Sequence, residues 1–598
     1  MTFINDIHFQ FSELVADKNL KPYAYLLSKR LQDRHICIDL SGTDLKSEYE
    51  SWAPEVRERI EPFSEKALSN STNLLSVSTE EKKPFVVYNN KFYTYRYFNY
   101  ESQIIDKIQD FIRIEQSELS NRKQELKYIK DKLFGLQDEN LDITDWQLTG
   151  CINSYLNNFS IITGGPGTGK TTTIAKLIVA LCFSNSSIKI ALAAPTGKAA
   201  VRVLESLKEN SLAKEEPLKS KIDELNSSTI HRLLGYKPNS PYFRYDKNNQ
   251  LDFDVVIVDE ASMIDVPLFA KLLSAVDSSK RLILIGDKNQ LASVEAGSMF
   301  GDLCNSAVTD GMKTLNLFSK ERLGFLNSFL NANNTINETK PIDSKLLKNH
   351  ITELVLNRRV NQESIVIDKF SKAIMNEDIE VVKTTLKSGS EIIRFDEAYD
   401  VAVFKEFIKK YKDYIDETDV VKAIGKLNDI RVLCAVREGK HGVYSINREV
   451  EWYLQKHNLI KIDADNYINR PILVNKNNRE LNLFNGDIGL MRKDKDGIRM
   501  AYFLDKNGEL RDGILPSFIG GYETVYAMTI HKCQGSEFNN VLIVLPEKNK
   551  HDLLTKELLY TAVTRAKSKV IIQATEDVIF NIVQKRVKRT SGIIDRIN

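Results

Sequence analysis

Residues 164 to 171 read Gly-Gly-Pro-Gly-Thr-Gly-Lys-Thr, between an apolar run (Ser160 to Thr163) and a helix-like run from Thr172 to Phe183. These residue types suit a polyphosphate. Glycines let backbone N–H groups close around phosphate oxygens, Lys170 reaches the outer phosphates, and the Thr171 hydroxyl ligates magnesium. The stretch reads as a phosphate-binding loop for a nucleoside triphosphate, with Gly164, Gly165, Pro166, Gly167, Thr168, Gly169, Lys170, Thr171 and Thr172 around it.

Asp259 and Glu260 follow directly on the apolar run Val255 to Val258. Alone, such a pair is more often a solvated strand end. Beside a phosphate loop, one carboxylate can hold magnesium and the other can orient or deprotonate the attacking water. A further apolar run, Arg281 to Ile285, ends in Gly286-Asp-Lys-Asn-Gln290, where Gln290 could bond the terminal phosphate and the water. After Ala194, the loop Pro195-Thr-Gly-Lys198 enters a helix, so its N–H groups, Thr196 and Lys198 could grip a phosphodiester.

Elements must bring these residues together. Between residues 158 and 304, runs apolar at nearly every position (Ile188 to Ala194, Val255 to Val258, Arg281 to Ile285) alternate with helix-like segments. That pattern predicts a parallel sheet covered on both faces. Arg431 to Val436, Val541 to Leu545 and Lys569 to Gln573 predict a second α/β unit without a phosphate loop. Residues 1–115 read as a separate small domain with an aromatic-rich stretch, Phe85 to Tyr100. The polar segment Leu323 to Lys340 reads as a loop or linker between the units. From about 465 to 520, Asn-Gly-Asp, Lys-Asp-Gly and Lys-Asn-Gly punctuate short alternating runs, which predicts an antiparallel β insertion.

At 598 residues the chain exceeds one core. Its 83 basic and 81 acidic side chains nearly cancel, so a nucleic-acid site must be a local groove. The six scattered cysteines form no C-x-x-C pair, which argues against zinc and against a disulfide framework. Neither an export signal nor a membrane span is read in the sequence.

The ordered set Asp145-Trp-Gln147, the phosphate loop, Ala194 to Ala200, Thr229-Ile-His-Arg-Leu-Leu234, Asp259-Glu-Ala-Ser262, Gly286 to Gln290, Thr529-Ile-His-Lys-Cys-Gln-Gly535 and Tyr560-Thr-Ala-Val-Thr-Arg565 resembles the motifs of superfamily 1 DNA helicases. Leu291 to Gly297, Val436-Arg-Glu-Gly439 and Phe484-Asn-Gly-Asp-Ile-Gly489 are similar to the RecD family, the alpha subunits of bacterial exodeoxyribonuclease V. The resemblance implies two RecA-like P-loop NTPase domains, 116–345 and 346–598, the second with a small SH3-like β insertion. It implies an N-terminal partner-docking domain at 1–115.

The implied activity is an ATP- and Mg2+-dependent 5′→3′ DNA helicase. It would act on single-stranded DNA and duplex ends in the bacterial cytoplasm, at the nucleoid, with RecB-like and RecC-like subunits in a heterotrimer, in double-strand break repair and recombination. By the same resemblance, Gln147 contacts adenine, and Gly535 and Glu537 line the nucleotide. Thr171 and Asp259 hold magnesium, Glu260 the water, and Gln290 the terminal phosphate. Arg359 and Arg565 reach that phosphate from the second unit, with Arg358 the alternative to Arg359. Thr196, Lys198, His231, Thr529, His531, Lys532 and Gln534 form the DNA-binding set, although His531 and His231 also read as buried structural histidines. The tail Lys585 to Arg589 reads as a solvated helix face or a DNA contact. No nuclease motif is recognised. The competing readings are a stand-alone RecD-like helicase and an ATP-gated DNA switch.

Overall fold

Six strands of the first unit form one parallel sheet, in the order Ile351–Leu354, Phe159–Gly164, Arg281–Gly286, Val255–Val258, Ile190–Ala194, Ser227–Thr229. The computed structural model describes residues 5–598, apart from 65, 67, 69–72, 78–80, 137–143, 211, 213–215, 217, 294, 309–313, 332–334, 338–344, 359–360, 479, 506–507, 548–552 and 588. Successive strand residues face opposite ways. Phe159, Ile161, Val256, Val258, Leu282 and Leu284 enter one core, while Ile162, Val255, Ile257, Ile283 and Ile285 enter another. Burial on both faces is why the strands read as unbroken apolar runs.

The second unit repeats this design. Ile393–Asp396, Ala566–Gln573, Phe538–Val544, Ile430–Cys434 and Ala527–Thr529 are all parallel, with Val541 and Ile543 in one core and Leu542 and Val544 in the other. The expected insertion is a four-stranded antiparallel sheet, Pro471–Val474, Ile488–Lys493, Arg499–Tyr502 and Tyr522–Thr524. Its last strand lies just past the 465–520 window. Gly486 and Gly497 take positive φ in the turns beside Ile488–Lys493. None of the described helices is long and apolar enough to cross a membrane.

Tertiary packing redraws the divisions read from sequence. The cut at 115 falls inside one helix, Tyr95–Tyr128, which no glycine or proline interrupts. Its Phe98, Ile104, Ile108 and Phe111 share a core with Phe159 and Val256, so the N-terminal region is continuous with the first unit. The cut at 345 precedes Ile351–Leu354, which pairs with Phe159–Gly164 and therefore belongs to the first sheet. The supposed linker begins as helix Lys320–Asn327, capped by Ser319. There Arg322 is buried and donates to the Asn153 and Asn157 side chains (2.8 Å each).

Of the basic tail, Arg586 is exposed and Lys588 lies outside the described residues, whereas Arg589 is turned inward. After helix Glu576–Gln584 the chain crosses back to the first unit. Arg589 donates to the carbonyls of Ser293 (2.7 Å), Glu295 (3.2 Å) and Gly297. Ile593 and Ile597 enter the core that holds Phe98. Gly592 N–H (2.8 Å) and Arg596 (3.1 Å) both donate to the carboxylate of Glu101, which is fully buried. The long sequence separation hid this contact.

Replacing Arg596 by methionine would leave the Glu101 charge buried without its cation. The expected loss is about 3 to 5 kcal/mol, read as a lower denaturant midpoint. A midpoint equal to the parent's would show that this ion pair does not hold the tail.

Candidate nucleotide and nucleic-acid site

The loop joining Phe159–Gly164 to helix Lys170–Ser184 opens at the carboxyl edge of the first sheet. Gly167 and Gly169 have φ of 79° and 84°, a region that side chains other than glycine rarely adopt. A Cβ on Gly169 would also meet Gln147 Nε2 at 1.9 Å. Lys170 Nζ donates to the Gly164 and Gly165 carbonyls (2.8 and 3.1 Å), and Thr168 Oγ1 donates to Gly165 O (2.8 Å). The loop thus folds around its own lysine. Thr172 Oγ1 accepts from Asn210 Nδ2 (3.3 Å).

Asp259 and Glu260 leave the end of Val255–Val258 beside this loop. Glu260 takes φ of 52°, an uncommon conformation for a side-chain-bearing residue outside glycine, and its N–H donates to Asp259 Oδ1 (2.8 Å). Strain of this kind persists where surrounding structure imposes it, often at functional sites. Burial first, and then the neighbouring Glu260 charge, push the Asp259 carboxyl up to about 6, against the pull of Lys170.

One cleft collects residues from both units. Lys170, Thr171, Asp259, Glu260 and Gln290 line it from the first, and Gly535, Glu537 and Arg565 from the second. Arg565 is 2% exposed, and its Nε and one terminal nitrogen donate to Thr561 O (3.2 Å) and Ser536 O (3.3 Å). The first turn after helix Lys556–Val563 therefore aims a fixed cation at the seam. Arg202, which sequence reading did not single out, spans it from the other side, donating to Gly535 O (2.8 Å) and pairing with Glu537 (2.6 Å). Nothing local distinguishes this arginine from other charged residues on helix Gly197–Glu209.

Other expected residues are placed differently. Gln147 is buried and donates to Thr168 O (3.1 Å), so it braces the loop. Arg359 lies outside the described residues. Arg358 follows the first sheet, its N–H donating to Gly167 O (2.8 Å) and its guanidinium 3.5 Å from Asp145, so it approaches the loop from the first unit.

The residues expected at DNA divide into two groups. Thr196 caps helix Gly197–Glu209 by accepting from Ala199 N–H (3.2 Å), with Gly197 packed against Phe484 of the insertion. Burial lowers the Lys198 ammonium to about 8, helped by the Arg431 and Arg202 charges. His231 lies edge-on to Phe243, and burial lowers its pKa. The Thr529 to Gln534 segment is largely turned inward. Thr529 accepts from Lys532 N–H (3.2 Å), and Gln534 Nε2 crosses the seam to Leu291 O (2.6 Å). Burial, with the Arg34 and Arg589 charges beside it, lowers His531 to about 4 and keeps it neutral. Lys532 Nζ is engaged by Glu523 (2.5 Å) and Asn475 (2.9 Å). In this arrangement Thr529 holds the turn and Gln534 the seam.

Residues 148–296 match the AAA domain family, and residues 524–573 match the UvrD-like helicase C-terminal domain. The chain is similar to the RecBCD enzyme subunit RecD of Buchnera aphidicola subsp. Acyrthosiphon pisum, 31% identical over 98% of each chain. It is 35% identical to that of Mycobacterium tuberculosis over 73% of this chain and 70% of the relative. The ATP-dependent RecD2 DNA helicase of Deinococcus radiodurans is 26% identical over 77% of this chain and 52% of that protein.

Proposed function

The chain belongs to the RecD family of superfamily 1 DNA helicases, and from that premise we propose that it drives 5′→3′ unwinding by hydrolysing ATP between its two RecA-like units. It works as the RecD subunit of a RecBCD exodeoxyribonuclease V complex, in double-strand break repair and recombination. The observation that carries the reading is the shared cleft, where Lys170 and Arg565 lie on opposite walls. Full-length similarity to RecD, against coverage of about half of RecD2, favours the subunit over the stand-alone helicase.

In this reading Lys170 exchanges its two loop carbonyls for phosphate oxygens. Thr171 and Asp259 would hold the magnesium ion, since both line the cleft and offer the hard oxygen donors that ion prefers. Bound there, the ion neutralises charge on the outer phosphates. Glu260 takes the proton of the attacking water, and Arg565 meets the charge that spreads over the transferred group. Triphosphate thereby bridges the units, and its hydrolysis releases the seam.

Thr196, Lys198 and His231, with Lys532 once Glu523 yields it, offer contacts to single-stranded DNA that do not depend on base sequence. Strand cleavage falls to the RecB partner. The N-terminal region presents exposed Ile7 and Leu14 on helix Ile7–Val15, and we place partner docking there. The site of action is the bacterial cytoplasm, at the nucleoid.

Strand displacement on 5′-tailed and 3′-tailed duplexes tests the reading, with the chain alone and with RecB and RecC. ATP-dependent displacement attributable to this subunit is expected on the 5′ tail. Activity confined to 3′ tails, or ATP hydrolysis without displacement in any mixture, would overturn it.

A further inference from the structure

The turn that closes Arg281–Gly286 carries Gln290 into the cleft, and its amide has a fixed orientation. Asp287, 1% exposed, is the reason. Its Oδ1 accepts from Asn289 N–H (2.9 Å), and its Oδ2 accepts from the Tyr560 hydroxyl (2.9 Å) and from Gln290 Nε2 (3.2 Å). A carboxylate only accepts, so the atom of Gln290 facing it must be the nitrogen. Gln290 Oε1 is then the free atom, and it is buried without a hydrogen-bond partner among the described residues. An acceptor in that position can accept a hydrogen bond from the attacking water, leaving proton removal to Glu260, whereas it has nothing to donate to a phosphate oxygen.

The turn is held from the second unit by two consecutive residues. Tyr560 bonds Asp287, and its hydroxyl comes within 3.0 Å of where a Cβ on Gly165 would lie, against the phosphate loop. Thr561 Oγ1 accepts from Leu291 N–H (2.9 Å), while Thr561 O accepts from Arg565. Thr561 thus ties the Gln290 turn to Arg565, alongside the Gln534 bond to Leu291 O (2.6 Å). On the opposite side, Lys288 N–H donates to Thr163 Oγ1 (3.1 Å) and anchors the turn to the strand that leads into the phosphate loop.

We propose that Tyr560 and Asp287 are positioning residues that present the Gln290 oxygen to the attacking water, and that they do so only while the two units are closed. Opening the seam removes the Tyr560 hydroxyl from Asp287, whose second oxygen is then free to turn with Gln290. Hydrolysis is thereby tied to closure through an orientation, in addition to the approach of Arg565. The inference rests on the ATPase reading of the cleft and adds to it the role of this pair.

The test uses the assembled complex and measures DNA-stimulated ATP hydrolysis together with the affinity for a fluorescent ATP analogue. Tyr560→Phe keeps the ring and removes only the hydroxyl. It is expected to lower kcat about tenfold, below the roughly 10²- to 10⁴-fold of a group that itself transfers the proton, with KM and analogue affinity within twofold. Gln290→Ala should lower kcat further, and the double variant Tyr560→Phe/Gln290→Ala should be no slower than Gln290→Ala. A residue that only packs the seam would give multiplying losses or a matching rise in KM.

Full activity of Tyr560→Phe, or losses that multiply in the double variant, would overturn the proposal while the ATPase reading stands. Full activity of Gln290→Ala would overturn the proposal as well, and with it the assignment of Gln290 to the hydrolytic site.

Discussion

Lys170→Gln is expected to lower DNA-stimulated ATP hydrolysis roughly 10³-fold, the scale on which a single preorganised electrostatic contact to a transition state counts, and to remove unwinding with it. The lysine is the cation of the phosphate loop, and glutamine keeps a hydrogen-bond donor but is one bond shorter and carries no charge. Its structural share is small, because Nζ donates only to Gly164 and Gly165 carbonyls of the same loop. The denaturant midpoint should therefore match the parent's. Undiminished DNA-stimulated ATPase in a folded variant would contradict the nucleotide site itself.

Arg565→Lys addresses the other wall of the cleft. Arginines that reach a transferred phosphoryl group across a seam contribute about 10³ to 10⁵ in rate, and a loss of roughly 10³-fold in kcat is expected. Lysine conserves charge, yet one ammonium cannot hold the Thr561 and Ser536 carbonyls in the two directions that Nε and the terminal nitrogen now serve. Nor can it present a fork to phosphate oxygens. Binding of an ATP analogue should stay within a few-fold, because Lys170 and the loop amides remain. Hydrolysis within twofold of the parent would show that charge alone suffices, or that Arg565 does not touch the nucleotide. Between them the two variants separate the first unit's part from the second's.

Both expectations began in sequence, where short stretches carry their chemistry locally. The phosphate loop is legible because its eight residues are contiguous and their backbone conformation is prescribed by glycine: φ is positive at Gly167 and Gly169. The two parallel sheets are legible because a strand covered on both faces has to be apolar at consecutive positions, as in Val255–Val258. The carboxylates at 259 and 260 inherit their place from the strand before them.

The amino-acid order by itself thus determined the nucleotide loop, the two α/β units and the polar residues at their strand ends, all features set by neighbours within a few positions. Only the tertiary structure decided that Arg202 and Arg565 meet at one cleft, that Tyr560 bonds Asp287, that Gln147 braces the loop, and that the tail from Arg589 to Arg596 returns to the N-terminal region. A polar side chain takes the partner that packing brings within about 3 Å. When that partner lies on another sheet, no local periodicity records it. The cost of leaving the group buried and unpaired settles the contact only once the sheets have docked.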